Sequence, residues 1–173
     1  MKYGSLLLAL GLMLSNGLAI AQDDNAAAPE GPKPTTYKNW DVLCEKDPKG
    51  VEHCQMFQNI GLNVSKEVTL RMQVKLGYVP GQKDPVLLLT LPLGVALPPC
   101  VQLQVDAGTP EKMAFELCDP VGCRAGMQAK PALLAALKKG KEAKISFAIQ
   151  RQAGSVPVSL SGFTKALGHI QPK

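Results

Sequence analysis

From about residue 37 onward, apolar and polar residues alternate in short runs separated by turn chemistry, a period that predicts strands rather than helices. Leu70, Met72, Val74 and Leu76 face one way and Thr69, Arg71, Gln73 and Lys75 the other, so residues 68–79 read as a half-buried strand. Residues 86–91, VLLLTL, are almost continuously apolar at strand length, which predicts a strand covered on both faces. Val101, Leu103 and Val105 alternate with Gln102, Gln104 and Asp106, and residues 113–118 are predicted as the single return strand. Ile145, Phe147 and Ile149, then Val156, Val158 and Leu160, repeat the pattern around a predicted turn at Ala153, Gly154 and Ser155. Two stretches switch to helical spacing. Residues 131–140, PALLAALKKG, place Pro in the first turn and Gly at the stop, and Phe163, Ala166, Leu167 and Ile170 form a terminal apolar stripe. The expected fold is all-β: an antiparallel β-sandwich or barrel-like domain with one or two short helices.

The cysteines add staples to that picture. Asp47-Pro48-Lys49-Gly50 suits a hairpin turn, and counting outward from it sets Cys44 opposite Cys54. Opposed strand residues lie about 4.5–5.5 Å apart in Cα, inside the disulfide window. Asp119-Pro120-Val121-Gly122 brackets a second turn between Cys118 and Cys123, so this pair also closes a short bridge. A four-cysteine zinc site is the alternative, and an oxidising compartment favours two disulfides. Cys100 is left over, either a buried thiol beside an aliphatic strand, a reactive site, or the link of a disulfide dimer; the chain is otherwise expected to be a monomer. Trp40 shares a strand face with Val42 and Cys44 and is predicted as a core anchor.

The compartment follows from the amino terminus. Lys2, the run LLLALGLML and the small residues ending Ala19-Ile20-Ala21 read as a secretory signal over residues 1–21. The apolar run is shorter than the ~20 residues of a span, so no transmembrane segment is expected. Residues 22–36 are small, polar and proline-rich, a flexible arm ahead of a single domain over residues 37–173. Losing Lys2 with the leader leaves +4 of the formal +5 charge, and aromatics make up only 5% of the chain, too few for a nucleic-acid stacking surface. The basic cluster Lys138, Lys139, Lys141 and Lys144 reads as a solvated helix end and strand edge.

Candidate chemistry is sparse. His53 adjoins Cys54, but neighbours on a strand point to opposite faces, so the pair cannot share a proton. His169 has no partner motif, and the carboxylates Asp41, Glu116 and Asp119 could form a site only if the fold brought them together. No catalytic residue, cofactor or metal is assigned on these grounds. The binding candidate is the proline-broken bend Gly94, Val95, Ala96, Leu97, Pro98 and Pro99.

Trp40-Asp41-Val42 with Cys44 and Cys54, PLGVALPP followed by VQLQVD, FELCDPVGC with Arg124-Ala125, and SLSGFTKAL occur in an order that resembles the invasion-associated locus B family of exported bacterial proteins. The resemblance spans nearly all of the mature chain, and the family pattern usually carries Gly where this chain has Cys100. It implies a periplasmic or outer-surface protein of a Gram-negative cell envelope, with some members associated with host-cell invasion. The expected function is a non-enzymatic binding module for an envelope or host-surface protein or glycan; the alternative is a periplasmic hydrolase-like or redox/metal-handling protein.

Overall fold

The computed structural model describes residues 31–63, 69–149 and 152–172. The expected signal segment and the expected arm up to residue 30 lie outside the described residues. In chain order the elements are β1 (Thr35–Tyr37), β2 (Trp40–Lys46), β3 (Glu52–Asn63), β4 (Thr69–Gly77), β5 (Val86–Leu91), β6 (Val101–Val105), β7 (Glu111–Met113), β8 (Phe115–Asp119), β9 (Gly122–Gln128), α1 (Pro131–Lys139), β10 (Glu142–Ile149), β11 (Gln152–Ser159) and α2 (Phe163–Ile170). Seven strands form one antiparallel sheet in the order β1-β2-β3-β4-β5-β9-β8, and four form another in the order β11-β10-β6-β7. Both sheets have free ends, so the architecture is a sandwich and not a closed barrel.

The core lies between the sheets and under α2. The inward positions of each alternating run supply it: Val42, Met56, Met72, Val74 and Leu76 from the larger sheet, Val101, Leu103 and Ile145 from the smaller, and Phe163 and Leu167 from α2. Trp40 is buried and meets Phe163 edge to face at 5.2 Å. Its Nε1 donates to the Ser159 carbonyl at 2.9 Å, and Gln58 Nε2 donates to the same oxygen at 3.1 Å. Two side chains of the larger sheet therefore grip one carbonyl of the smaller, satisfying polar groups that burial would otherwise penalise. Gly162 starts α2 with φ 93°, packed against the carbonyl of Tyr37 so closely that no Cβ fits.

Three strand expectations change. Residues 113–118 are not one strand. Buried Met113 pairs with Val101 in the smaller sheet, whereas Phe115 pairs with Ala125 in the larger, so the chain changes sheet at Ala114. Side-chain alternation continues through such a corner and does not reveal which strand accepts the hydrogen bonds. Residues 86–91 bury Leu87, Leu89 and Leu91 but leave Val86, Leu88 and Thr90 only half-buried. That outer face lies beside Gln73 and Lys75, the partners of Thr90 and Leu88, whose aliphatic stems can shade it. Ala153, Gly154 and Ser155 are not a turn but paired β11 residues opposite Ala148, Phe147 and Ser146, with the connection at residues 150–151 outside the described residues.

The expected arm also ends early: Thr35 and Thr36 belong to β1, where Thr36 Oγ1 donates to Asp41 Oδ1 at 2.6 Å. The lysines 138, 139, 141 and 144 are exposed around the end of α1 and the start of β10. At the sheet margins, β1 and β7 are three residues long, β8 carries a register shift between Phe115 and Leu117, and β11 sets Pro157 opposite Lys144.

Candidate functional site

Two regions of the sandwich carry its unusual side chains. The first is the end of the β2–β3 hairpin. Asp47 Oδ1 accepts from the backbone N–H groups of Lys49 and Val51, both at 2.9 Å, which fixes the turn and hence the register that sets Cys44 opposite Cys54. The two are joined as a disulfide. His53, one residue away, points to the other face, where its Nε2 lies 3.2 Å from Asp47 Oδ2. The His53 hydrogen bond, with the turn amides, holds the Asp47 carboxyl below its ordinary value of 3.8.

The last turn of α2 brings His169 onto the face that His53 leaves. His169 Nε2 sits 4.0 Å from Cys44 Sγ, and its Nδ1 lies 3.0 Å from the Tyr37 hydroxyl. This group escaped the sequence reading because its members are 125 and 132 residues apart. A signal was nevertheless present, since His169 adjoins Ile170 of the apolar stripe and a helix packed on the sheet must lay its last turn on some strand. Both histidines line one open groove of about 500 Å³, together with Cys54, Tyr78 and Val79.

The three candidate carboxylates are not brought together. Asp41 is on β2 and holds Thr36, while Glu116 and Asp119 are on β8 at the far edge of the same sheet. Five strand spacings of about 4.8 Å place β2 and β8 roughly 24 Å apart. Asp119 accepts from Arg124 Nη2 at 2.7 Å and from the backbone of Val121 and Gly122. It caps the turn of the second disulfide, Cys118–Cys123.

The second region is the bend of residues 92–100. Gly94 takes φ 92°, Val95 forms a bridge with Ile149 and is buried, and Ala96 N–H donates to the Ala148 carbonyl at 2.8 Å. Val95 is therefore an anchor rather than a contact residue. Leu97 is 47% exposed with Pro98 and Pro99 beside it, and Leu93, just before the stretch singled out from sequence, is 55% exposed. Leu91 pairs with Cys123, so Leu93 emerges at the same sheet end as the hairpin tip, where Val121 is 76% exposed.

Cys100 closes the bend and is half-exposed, not buried as its neighbours in sequence suggested. Its φ of 60° lies in the left-handed region, and its Sγ contacts only the Pro98 carbonyl, at 3.7 Å, among its described hydrogen bonds. The chain must reverse here to start β6, which explains why glycine suits this position. Cys100→Gly removes a left-handed penalty of about 1–2 kcal/mol and returns about 0.5–1 kcal/mol through unfolded-chain entropy. A net gain of about 0.5–1 kcal/mol, or about 2–5 °C in melting temperature, is expected by calorimetry. An unchanged or lowered midpoint would show that the thiol contributes more than the backbone loses.

The family model described as invasion associated locus B (IalB) protein matches residues 40–171. Among solved structures, a crystal structure of invasion associated protein b from Bartonella henselae matches with a TM-score of 0.65 and 25% identity, covering 80% of this chain and 94% of that one. No curated protein matches. The family match begins at Trp40, the anchor of the core, and runs through the whole of α2; the chain belongs to the invasion-associated locus B family.

Proposed function

We propose that this protein is an exported, non-enzymatic binding module of a Gram-negative cell envelope, in the periplasm or on the outer surface, and that it engages its partner through the bend at residues 93–99 and the neighbouring hairpin tip. The observation that carries this reading is the exposure of Leu93, Leu97 and Val121 on backbone that is held rigid. The bridge at Val95 pins the bend, and the Cys118–Cys123 disulfide closes the hairpin. Large aliphatic side chains on constrained loops lose little entropy on binding and gain from being covered. Aliphatic contacts without aromatic faces favour a protein surface over a glycan as the partner. Export is supported by the leader pattern at residues 1–21 and by two disulfides, which persist in oxidising compartments. Among the described residues no helix is long and apolar enough to cross a membrane. The solved relative is described as invasion associated, and a role at the cell envelope during host contact is consistent with that description.

A photo-crosslinking amino acid placed at position 97 or 121 in producing cells is expected to give discrete adducts. The same probe at Lys49 or Lys139, exposed positions at the β2–β3 turn and the end of α1, is expected to give none. Equal labelling at all four positions, or no adduct at 97 and 121, would remove the bend as the binding surface.

A further inference from the structure

The opposite end of the sandwich holds a second constellation that the binding reading does not use. The Sγ atoms of Cys44 and Cys54 and a carboxylate oxygen of Glu52 all lie within 4.8 Å of one another. His169 Nε2 approaches the same cluster, 4.0 Å from Cys44 Sγ. We propose that this cluster is a redox-gated metal site, closed while Cys44 and Cys54 are joined and able, once they are reduced, to hold a zinc-class divalent cation through two thiolates, the Glu52 carboxylate and the His169 imidazole.

The donor set carries the assignment. Two sulfurs, one imidazole nitrogen and one carboxylate oxygen are the ligand types that zinc takes in four-coordinate sites, with bond lengths of about 2.0–2.3 Å. Ligand atoms around such an ion stand about 3.3–3.8 Å apart, so Cys44, Cys54 and Glu52 need to move little, whereas His169, which meets the group at Cys44 Sγ, must swing further in to complete the set. The imidazole is also oriented as a ligand would be. Tyr37 Oη lies 3.0 Å from Nδ1, and the two rings meet edge to face at 5.7 Å. In the tautomer that donates Nδ1–H to Tyr37, Nε2 keeps its lone pair toward the sulfurs, which is the outer-shell arrangement that fixes metal-bound histidines. The groove of about 500 Å³ beside Cys54 and His169 gives an ion a path from solvent. His53 lines the same groove but plays no part, since its Nε2 is engaged by Asp47.

The chemistry balances with a phosphine or dithiol as the reductant. Two electrons and two protons convert the Cys44–Cys54 disulfide to two thiols while the phosphine becomes its oxide, taking oxygen from water, or the dithiol becomes a disulfide. The cation then displaces the two thiol protons to buffer. Thiol–disulfide exchange with an external disulfide, which leaves as two thiols, re-forms the Cys44–Cys54 bond, removes both sulfur ligands and releases the ion, so the staple and the metal are mutually exclusive. The second disulfide provides an internal control. Among the described residues no group of three potential ligands includes Cys118 or Cys123, and the guanidinium of Arg124 sits at that turn.

The test uses the mature chain with Co²⁺ as the probe, under anaerobic conditions, before and after reduction by a phosphine. The reduced protein is expected to take up one Co²⁺ per chain with thiolate-to-cobalt charge-transfer absorption and the intensified visible bands of a four-coordinate ion. The oxidised protein is expected to show neither. Glu52→Gln and His169→Ala should each weaken binding by about tenfold or more, and Tyr37→Phe should weaken it while leaving the charge-transfer intensity intact. If reduction unfolds the chain, Co²⁺ is expected to restore its strand circular dichroism, since a metal that binds only the folded state stabilises it. The proposal is overturned if the reduced chain shows no charge-transfer band and no refolding. It is equally overturned if affinity is unchanged in both Glu52→Gln and His169→Ala, because two thiols alone would then account for the binding. Substituting Leu97 or Val121 leaves this result untouched, so it stands or falls independently of the binding surface.

Discussion

Replacing Trp40 by Ala is expected to cost about 3–5 kcal/mol of folding stability, the range for deleting a large aromatic from a packed core. The side chain is 1% exposed and is the largest fully buried one. It ties three layers at once, through its edge contact with Phe163 of α2, its hydrogen bond to Ser159 of β11, and its own place in β2. Trp40→Phe separates these terms. It keeps an aromatic ring opposite Phe163, and the Ser159 carbonyl it abandons still accepts from Gln58 Nε2. That variant is expected to lose only about 1–2 kcal/mol, chiefly one hydrogen bond and some packing. Urea titrations followed by far-ultraviolet circular dichroism measure both, since the substitutions remove the only tryptophan. A loss below about 1 kcal/mol for the alanine variant would show that the site collapses around the gap and that the core does not depend on this anchor.

Gly162→Ala is expected to damage the protein for a different reason. The residue has φ 93°, which an L side chain rarely adopts, and an added Cβ would run into the carbonyl oxygen of Tyr37. Because the obstacle is backbone, a rotamer change cannot relieve it. Left-handed strain of about 1–2 kcal/mol adds to about 1–3 kcal/mol for overpacking. The loss should also be uneven. Amide exchange is expected to speed up first in β1 and in α2, which meet at this glycine, before the central strands β4 and β5 respond. Uniform acceleration across both sheets would show that this corner does not yield separately from the rest of the fold. The variant would also separate Tyr37 from His169, and so loosen the Cys44 end of the groove.

What the sequence disclosed about these features depends on how local their causes are. The register of the β2–β3 hairpin was readable because Asp47, Pro48 and Gly50 fix the turn within a few residues, and the pairing of Cys44 with Cys54 follows by counting. The same holds for Cys118 and Cys123, whose turn Asp119 caps. Strand partners are a longer-range matter. The alternation around Met113 and Phe115 was visible, but the change of sheet between them depends on Val101 and Ala125, which no local pattern connects. Gly154 was mistaken for turn chemistry because a glycine in an edge strand has the same local appearance. The bend at residues 94–99 was found from its prolines, whereas the roles of Val95 as anchor and Leu93 as exposed neighbour emerged only when β10 was seen beside it. His169 lay furthest out of reach, since its partners Tyr37 and Cys44 come from the other end of the chain.

The margins of the two sheets bear on how any partner can be held. Unpaired strand edges invite another chain to add on as a further strand, the route taken by amyloid and by peptide-capturing domains. Here β1 and β7 offer only three residues each, β8 is interrupted by its register shift, and β11 carries a proline that has no N–H to donate. Each outermost strand is thus too short, bent or blocked to template a continuous ladder. A protein built this way resists fibril growth and edge-to-edge aggregation. With strand addition disfavoured, side chains on the loops are what remains for a partner to meet, and there sequence can vary without disturbing the sheets.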